Sequence, residues 1–203
     1  NIQKFIDQKV RASVNYTYSF QPKVIEPFKG WGLVSDKAYL RFIKDFNLNL
    51  LPTSLAINSN IIRSYNEQLS RTLVEGLPDL PLLQQRNYMF DWDYLIAYNL
   101  TQSLQFSLRA MNNYVYDQFD NNEEIRIYDN FFRVGRPEHY HQTLNMSYKI
   151  PFDKFPVLDF LTGTYNYTAD YDWQAPAFTN IETLANTIQN SNTHNLTVEM
   201  GMD

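Results

Sequence analysis

Polar and apolar residues take turns along seven stretches of this chain, and the clearest sets Phe90, Trp92, Tyr94, Ile96 and Tyr98 against Asp91, Asp93, Ala97 and Asn99. A β-strand turns successive side chains to opposite faces, so a period of two gives one aromatic side and one polar side. The polar side is too rich in Asn, Thr, Ser and Asp to be a packed interior. Such strands meet something oily on one face and water on the other, which is the pattern of an outer-membrane β-barrel wall around a wet lumen.

Composition fits strands better than helices as the spanning element. Aromatic residues make up 16% of the 203, with 15 Tyr and 14 Phe, yet the mean hydropathy is only −0.44. No run approaches the roughly 20 apolar residues of a membrane helix, so a bilayer would have to be crossed by strands. A net charge of −5 with scattered basic residues offers no phosphate footprint and argues against a nucleic-acid partner. The absence of cysteine excludes a disulfide scaffold and thiolate metal sites. No Pro/Gly/Ser linker divides the chain, so residues 1–203 are expected to be one stretch of a single antiparallel, all-β transmembrane barrel domain.

Along the chain, strands are expected at residues 12–21, 54–65, 88–98, 104–116, 140–150 and 161–173, and a seventh from Asn195 onward. Residues 22–34 read as irregular, and Ser35 can cap a short amphipathic helix with Tyr39, Phe42, Ile43 and Phe46 on one side. Residues 22–45 thus form an insertion, expected at the periplasmic rim. Phe46, Leu48 and Leu50 have the opposite parity to Leu55, Ile57 and Ile61, so a bulge or tight turn is expected near Pro52. Residues 66–85 and 174–194 read as polar connections, and residues 117–138 as a long charged one. Residues 99–103 and 151–159 are short, and bacterial barrels keep short turns on the periplasmic side.

The alternation divides the strand residues into two sets. Tyr16, Tyr18, Phe20, Leu55, Ile57, Trp92, Tyr94, Ile96, Phe106, Leu108, Leu144, Met146, Tyr148, Tyr165 and Tyr167 are expected to face lipid. Asn15, Thr17, Asn58, Asp93, Ser107, Arg109, Asn145, Ser147, Asn166, Thr168 and Asp170 are expected to face the lumen. A charge facing lipid near the midplane costs about 2–4 kcal/mol, and the outward positions are free of Lys and Arg through the strand centres. Seven strands are too few to close a bacterial barrel, which needs at least eight. The chain also begins without Met or a signal sequence and ends inside its last strand, so both ends are expected to pair with the rest of a larger barrel chain.

The irregular segments carry a more specific signal. Phe20-Gln21-Pro22-Lys23, Glu26-Pro27-Phe28-Lys29, Ile43-Lys44-Asp45-Phe46-Asn47 and Leu51-Pro52-Thr53-Ser54 resemble the SprA (Sov) family. So do Tyr65-Asn66-Glu67 and Asn186-Thr187-Ile188-Gln189-Asn190-Ser191, with Ala185 standing where glycine is the family's residue. The resemblance implies the outer-membrane translocon of the type IX secretion system of Bacteroidota, a very large barrel that exports folded cargo and serves gliding motility. It also implies partners: a PorV-like outer-membrane protein beside a lateral opening, a periplasmic plug protein and secreted cargo, in a setting of membrane lipid or lipopolysaccharide.

Chemistry-bearing motifs are sparse. His139, His141, Glu138 and the distant His194 include zinc-ligand types, but two imidazoles on one strand face beside a charged loop are an ordinary wet position. Asp117, Asp120, Glu123 and Glu124 around Asn121 and Asn122 lack the glycine and spacing of an EF-hand loop. Asn-x-Ser/Thr triplets at Asn15, Asn99, Asn145, Asn166 and Asn195 are mostly better explained by alternation, which lines up an Asn and a hydroxyl on the lumen side. Trp92, Tyr94, Tyr98, Tyr167, Tyr171 and Trp173 share one parity, which suits interfacial aromatic girdles better than a sugar platform. Asp170, Asp172, Arg109 and Lys149 read as lumen charges. No catalytic, cofactor or metal residue is expected. The expected role is a passive protein-conducting channel, with a TonB-dependent transporter or porin, a soluble cell-surface β-sandwich binding module and, more distantly, an outer-membrane enzyme as alternatives.

Overall fold

The computed structural model describes residues 2–30, 41–70, 80–117, 119, 126–155, 157–176 and 185–201, with the side chains of 2, 3, 41 and 42 left aside. Its strands are β1 (Ile2–Ser19), β2 (Val24–Ile25), β3 (Leu48–Asn49), β4 (Ser54–Ser70), β5 (Leu83–Asn99), β6 (Leu104–Val115), β7 (Arg136–Ile150), β8 (Leu161–Gln174) and β9 (Thr187–Met200). One short helix, α1 (Arg41–Lys44), lies between β2 and β3.

Seven of these strands form one antiparallel sheet in the order β1-β4-β5-β6-β7-β8-β9, and the sheet is not closed. Every neighbour in it is the next long strand in sequence, so the sheet is a meander. β2 and β3 make a separate two-stranded sheet. Regular pairing is interrupted only between Ile2 and Lys4 in β1 and between Asn113 and Tyr114 in β6.

The seven expected strands are present, but several run longer than their hydrophobic pattern. β1 starts at Ile2 rather than Ala12, β4 continues to Ser70 and β7 begins at Arg136. A further correction concerns β9, which starts at Thr187 instead of Asn195, inside a stretch read as a polar loop. Apart from Ile188, its first residues through Asn195 are polar on both faces, so alternation could not reveal them; the ladder with β8, from Leu161↔Met200 to Gln174↔Thr187, holds them instead. Of the bulge or tight turn expected near Pro52, no bulge is seen, and the chain instead bends at Leu51 and Thr53. Leu48 and Asn49 belong to the small sheet, so their parity needs no reconciling with that of β4. Of the expected amphipathic helix, Ser35 and Tyr39 lie outside the described residues, and helix is described only over Arg41–Lys44. The acidic segment 120–124 lies outside them as well.

The sheet has no second layer among the described residues. Among the described residues the buried hydrophobics are Tyr65, Tyr88, Ala110, Tyr116 and Ile127, and four of these cluster at one end of the strands. Two short connections, residues 100–103 and 151–160, occupy the other end, referred to below as the turn end. The longer connections 71–82, 116–135 and 175–186 share the opposite, loop end.

Candidate functional site: a two-faced wall

Cross-strand register decides which residues share a face, because directly opposed residues in an antiparallel pair point the same way. One face carries the rows Tyr18–Leu55–Ile96–Leu108–Leu144–Ala169 and Tyr16–Ile57–Tyr94–Ala110–Gln142–Tyr171. Toward the turn end it continues as Tyr98–Phe106–Met146–Tyr167 and Leu104–Tyr148–Tyr165; toward the loop end it continues as Trp92–Asn112–Tyr140–Trp173. Fourteen of the fifteen outward candidates are therefore on one side of one sheet. The exception is Phe20, which falls just beyond β1, packs edge-on against Tyr18 at 4.7 Å and lines a rim cavity with Pro22 and Val24.

The opposite face carries all eleven inward candidates, in rows such as Asn15–Asn58–Asp93, Ser107–Asn145–Thr168 and Ser147–Asn166. Opposed residues on it are tied sideways. Asn58 Nδ2 donates to Asp93 at 2.9 Å, Asn113 Nδ2 to Asp91 at 2.8 Å, Thr143 Oγ1 to Asp170 at 2.7 Å and Thr168 Oγ1 to Asn145 at 3.0 Å. His139 Nε2 and His141 Nδ1 lie 2.7 and 3.1 Å from one oxygen of Asp172. His194 is on the other face, opposite Tyr167, so the three imidazoles do not converge. Asp91 and Asp93 on β5 and Asp170 and Asp172 on β8 thus form two separately hydrogen-bonded acidic pairs, with Arg109 and Lys149 on the same face. Thr143 Oγ1, besides its bond to Asp170, lies 3.1 Å from His141 Nε2, so a hydroxyl, an imidazole and the Asp172 carboxylate stand side by side on this face.

At the turn end, the segment between β1 and β4 is strapped to the sheet by amide hydrogen bonds. Asn49 N donates to the Leu100 carbonyl at 2.8 Å, the Tyr98 hydroxyl donates to the Asn49 carbonyl at 2.6 Å, and Asn49 Oδ1 accepts from Lys23 N at 3.0 Å. Asn47 Oδ1 accepts from Gln102 N at 2.9 Å, and Lys154 reaches Asp45 at 2.7 Å. Asn47 and Asn49 are both buried. Gly163 is needed for space: a Cβ there would come within 2.7 Å of the Phe152 ring in the 151–160 turn.

The loop end holds what alternation did not foresee. Arg63, Arg86 and Glu67 sit on the otherwise apolar face, beyond the rows of the strand centres. Arg63 is only 1% exposed and is surrounded by backbone carbonyls of residues 127–133, with Asp129 O at 2.7 Å from Nη1 and Asn130 O at 2.6 Å from Nη2. Its guanidinium stacks over Tyr88 at 4.6 Å and Phe131 at 5.2 Å. Beside it, Glu67 accepts from Lys4 Nζ at 2.6 Å and Tyr65 OH at 2.5 Å. Those donors, Lys4 first, hold the Glu67 carboxyl below the usual carboxylate range, while burial and the acidic neighbour push the Tyr65 hydroxyl up to about 12. The available signal was an arginine on the apolar parity, since a cation buried there must find partners.

Comparison with models of known protein families and with curated proteins finds no match for this chain.

Proposed function

We propose that this chain is an arc of an outer-membrane β-barrel wall, and that the barrel conducts protein. The observation that carries the barrel reading is a single-layer sheet whose apolar face, at its strand centres, has no second layer over it among the described residues. None of Trp92, Tyr94, Ile96, Phe106, Leu108, Leu144, Met146, Tyr148, Tyr165 and Tyr167 is buried. An aromatic and aliphatic face of this extent left in water is untenable, and a bilayer covers it at no cost in hydrogen bonds. A β-sandwich would bury these same residues against a second sheet.

Dimensions support the same reading. From Gly163 to Trp173 along β8 is about 33 Å at roughly 3.3 Å per residue. Tilted by about 40°, that length rises about 25 Å, the height of an outer-membrane barrel's apolar band. The free edges of β1 and β9 present unpaired backbone groups and are completed, in this proposal, by further strands of the same barrel.

That the cargo is protein rests on the resemblance to the SprA family. In this role the wall does no bond chemistry: the lumen face supplies fixed, laterally bonded polar groups, and a PorV-like neighbour and a plug supply the gating. The test of the wall is cysteine labelling of the full-length protein in native membranes. Cysteines at Leu108, Tyr94 and Tyr148 should react with a lipid-soluble probe, and cysteines at Ser107, Asn145 and Thr168 with a water-soluble one. The reverse pattern, or extraction without detergent, rejects the barrel. Deleting the gene should remove surface proteins and spare nutrient uptake; loss of uptake alone makes the barrel a transporter of small solutes.

A further inference from the structure

The loop-end segment 126–135 does not project away from the sheet but folds back over its apolar face. Its course is fixed by Arg63, whose Nη1 faces the Ile127 and Asp129 carbonyls and whose Nη2 faces those of Asn130 and Arg133. Convergence of four carbonyls on one guanidinium requires a tightly bent backbone. Asn130 has φ 51° and Gly135 φ 84°, both left-handed. At Gly135 a Cβ would meet the Val115 carbonyl oxygen at 2.2 Å, so only glycine fits. The inner side of the flap is sealed by Ile127, which is 1% exposed against Tyr88 and Tyr116.

The outer side of this flap has the opposite character. Phe132 is 83% exposed and Tyr128 69%, while Arg126 and Arg133 are exposed beside them. Among the described residues no carboxylate forms an ion pair with either arginine; Arg133 donates from Nη1 to the Tyr116 hydroxyl at 3.3 Å, its guanidinium 4.9 Å from the ring. Beneath the flap runs a cleft of about 210 Å³, whose lining includes Ile61, Phe90, Phe131 and Phe132 together with the guanidinium-bearing Arg63 and Arg133. Ile61 and Phe90 are the next row toward the strand centres, so the cleft is continuous with the apolar face. A slot walled mainly by apolar side chains, with the exposed Arg133 guanidinium on its lining, matches a molecule that has acyl chains and a phosphorylated head. Aromatic side chains free at the same level match the headgroup boundary.

We propose that this flap is a binding site for a phosphorylated glycolipid of the outer leaflet, of the lipid A type. An acyl chain enters the cleft below Phe132, and a phosphate pairs with Arg133 and Arg126. Arg63 is not a ligand, because the flap's own carbonyls occupy its donors; it is the staple that holds the site open. The inference rests on the barrel reading, which puts this face toward lipid and the loop end at the cell surface.

The test uses the full-length protein, purified from membranes and exchanged through detergent, with bound lipid measured by mass spectrometry after incubation with purified lipid A. The wild-type protein should retain lipid A. The double variant Arg126→Ser/Arg133→Ser, and separately Phe132→Ser, should retain about tenfold less or lower still. Removing the phosphates from lipid A should reduce retention as the arginine variant does, whereas excess inorganic phosphate should not displace the intact lipid. Because all three positions are exposed, folding should be unchanged, and the heat-modifiable gel mobility typical of barrels checks it.

Equal retention by wild type and variants overturns the proposal. So does displacement by inorganic phosphate, which would make the site one for a soluble anion, and so does loss of a co-purified protein in place of lipid. A wild-type protein that leaves the membrane on carbonate washing sinks the barrel reading itself. A protein that stays in the membrane, with lipid A retention indifferent to these arginines, sinks only this inference.

Discussion

The two ends of the sheet solve one problem by different chemistry. At each, a non-strand segment has to be fixed to a single-layer sheet with no core to grip it. At the turn end, two buried asparagines, Asn47 and Asn49, supply amide oxygens and backbone groups that mimic one more rung of ladder. At the loop end, one buried arginine gathers the carbonyls of a whole turn. An asparagine can mate with a chain that already runs nearly extended, whereas a guanidinium fork can satisfy carbonyls converging from a tight bend. The first device should be cheap to weaken piecemeal; the second should fail all at once.

The largest effect should therefore come from Arg63→Ala. Removing the guanidinium leaves the carbonyls of Ile127, Asp129 and Asn130 without their donor and opens a void between Tyr88 and Phe131. Each buried carbonyl left without a donor costs about 1–3 kcal/mol, and several lose theirs at once. Hydrogen exchange should show the amides of residues 127–135 losing protection together, while β5 and β6 near Tyr94 and Leu108 stay protected. Arg63→Lys should not restore the flap, since an ammonium cannot span carbonyls in a planar fork. Protection in the alanine variant equal to wild type would break the contrast between the ends.

Next in size is Gly135→Ala, expected to cost about 1–3 kcal/mol through backbone strain. The added methyl meets backbone at Val115, which cannot rotate away. Gly163→Ala at the turn end should cost less, because the methyl there meets the Phe152 ring, a side chain that can swing. Thermal unfolding of both variants in one detergent decides the order. Asn49→Ala should follow at about 1–3 kcal/mol, from the Lys23 and Leu51 amides that lose their acceptor. Its exchange signature should stay confined to residues 22–25 and 47–51.

What was legible in the sequence, and what was not, follows the same division. Alternation found the seven strands and sorted Tyr94 from Asn145, because burial of one face imposes a period of two that any strand displays on its own. It missed the first half of β9 because Asn190, Asn192 and His194 occupy its otherwise apolar parity, where the ladder with β8 alone holds the strand. It missed the flap because the reason for Arg63 lies 64 to 70 residues away in sequence, in carbonyls that have no side-chain code. The strap was half visible: Pro52 and the parity change marked a break, but a separate small sheet and a bulge look alike in a list of residues.

The smallest expected effect is the one that separates charge from packing at the loop end. Glu67 lies eight residues beyond Ser59, the β4 member of the Trp92 row, and so outside the proposed membrane band. Its carboxyl is held below the ordinary range by the hydrogen bonds from Lys4 and Tyr65. A carboxyl depressed in the folded state stabilises above its unfolded value, and that contribution drains away as pH falls through about 4.3 and below. The Lys4–Glu67 pair is half open to solvent on the lysine side, which screens it, so the gain should be modest. Glu67→Gln should then be slightly less stable than wild type at pH 7 and nearly equal to it near pH 3, with Arg63→Ala showing the same loss at both. If Glu67→Gln loses as much at pH 3 as at pH 7, the loop end is held by shape at this position, and the Glu67 carboxylate is no electrostatic anchor of it.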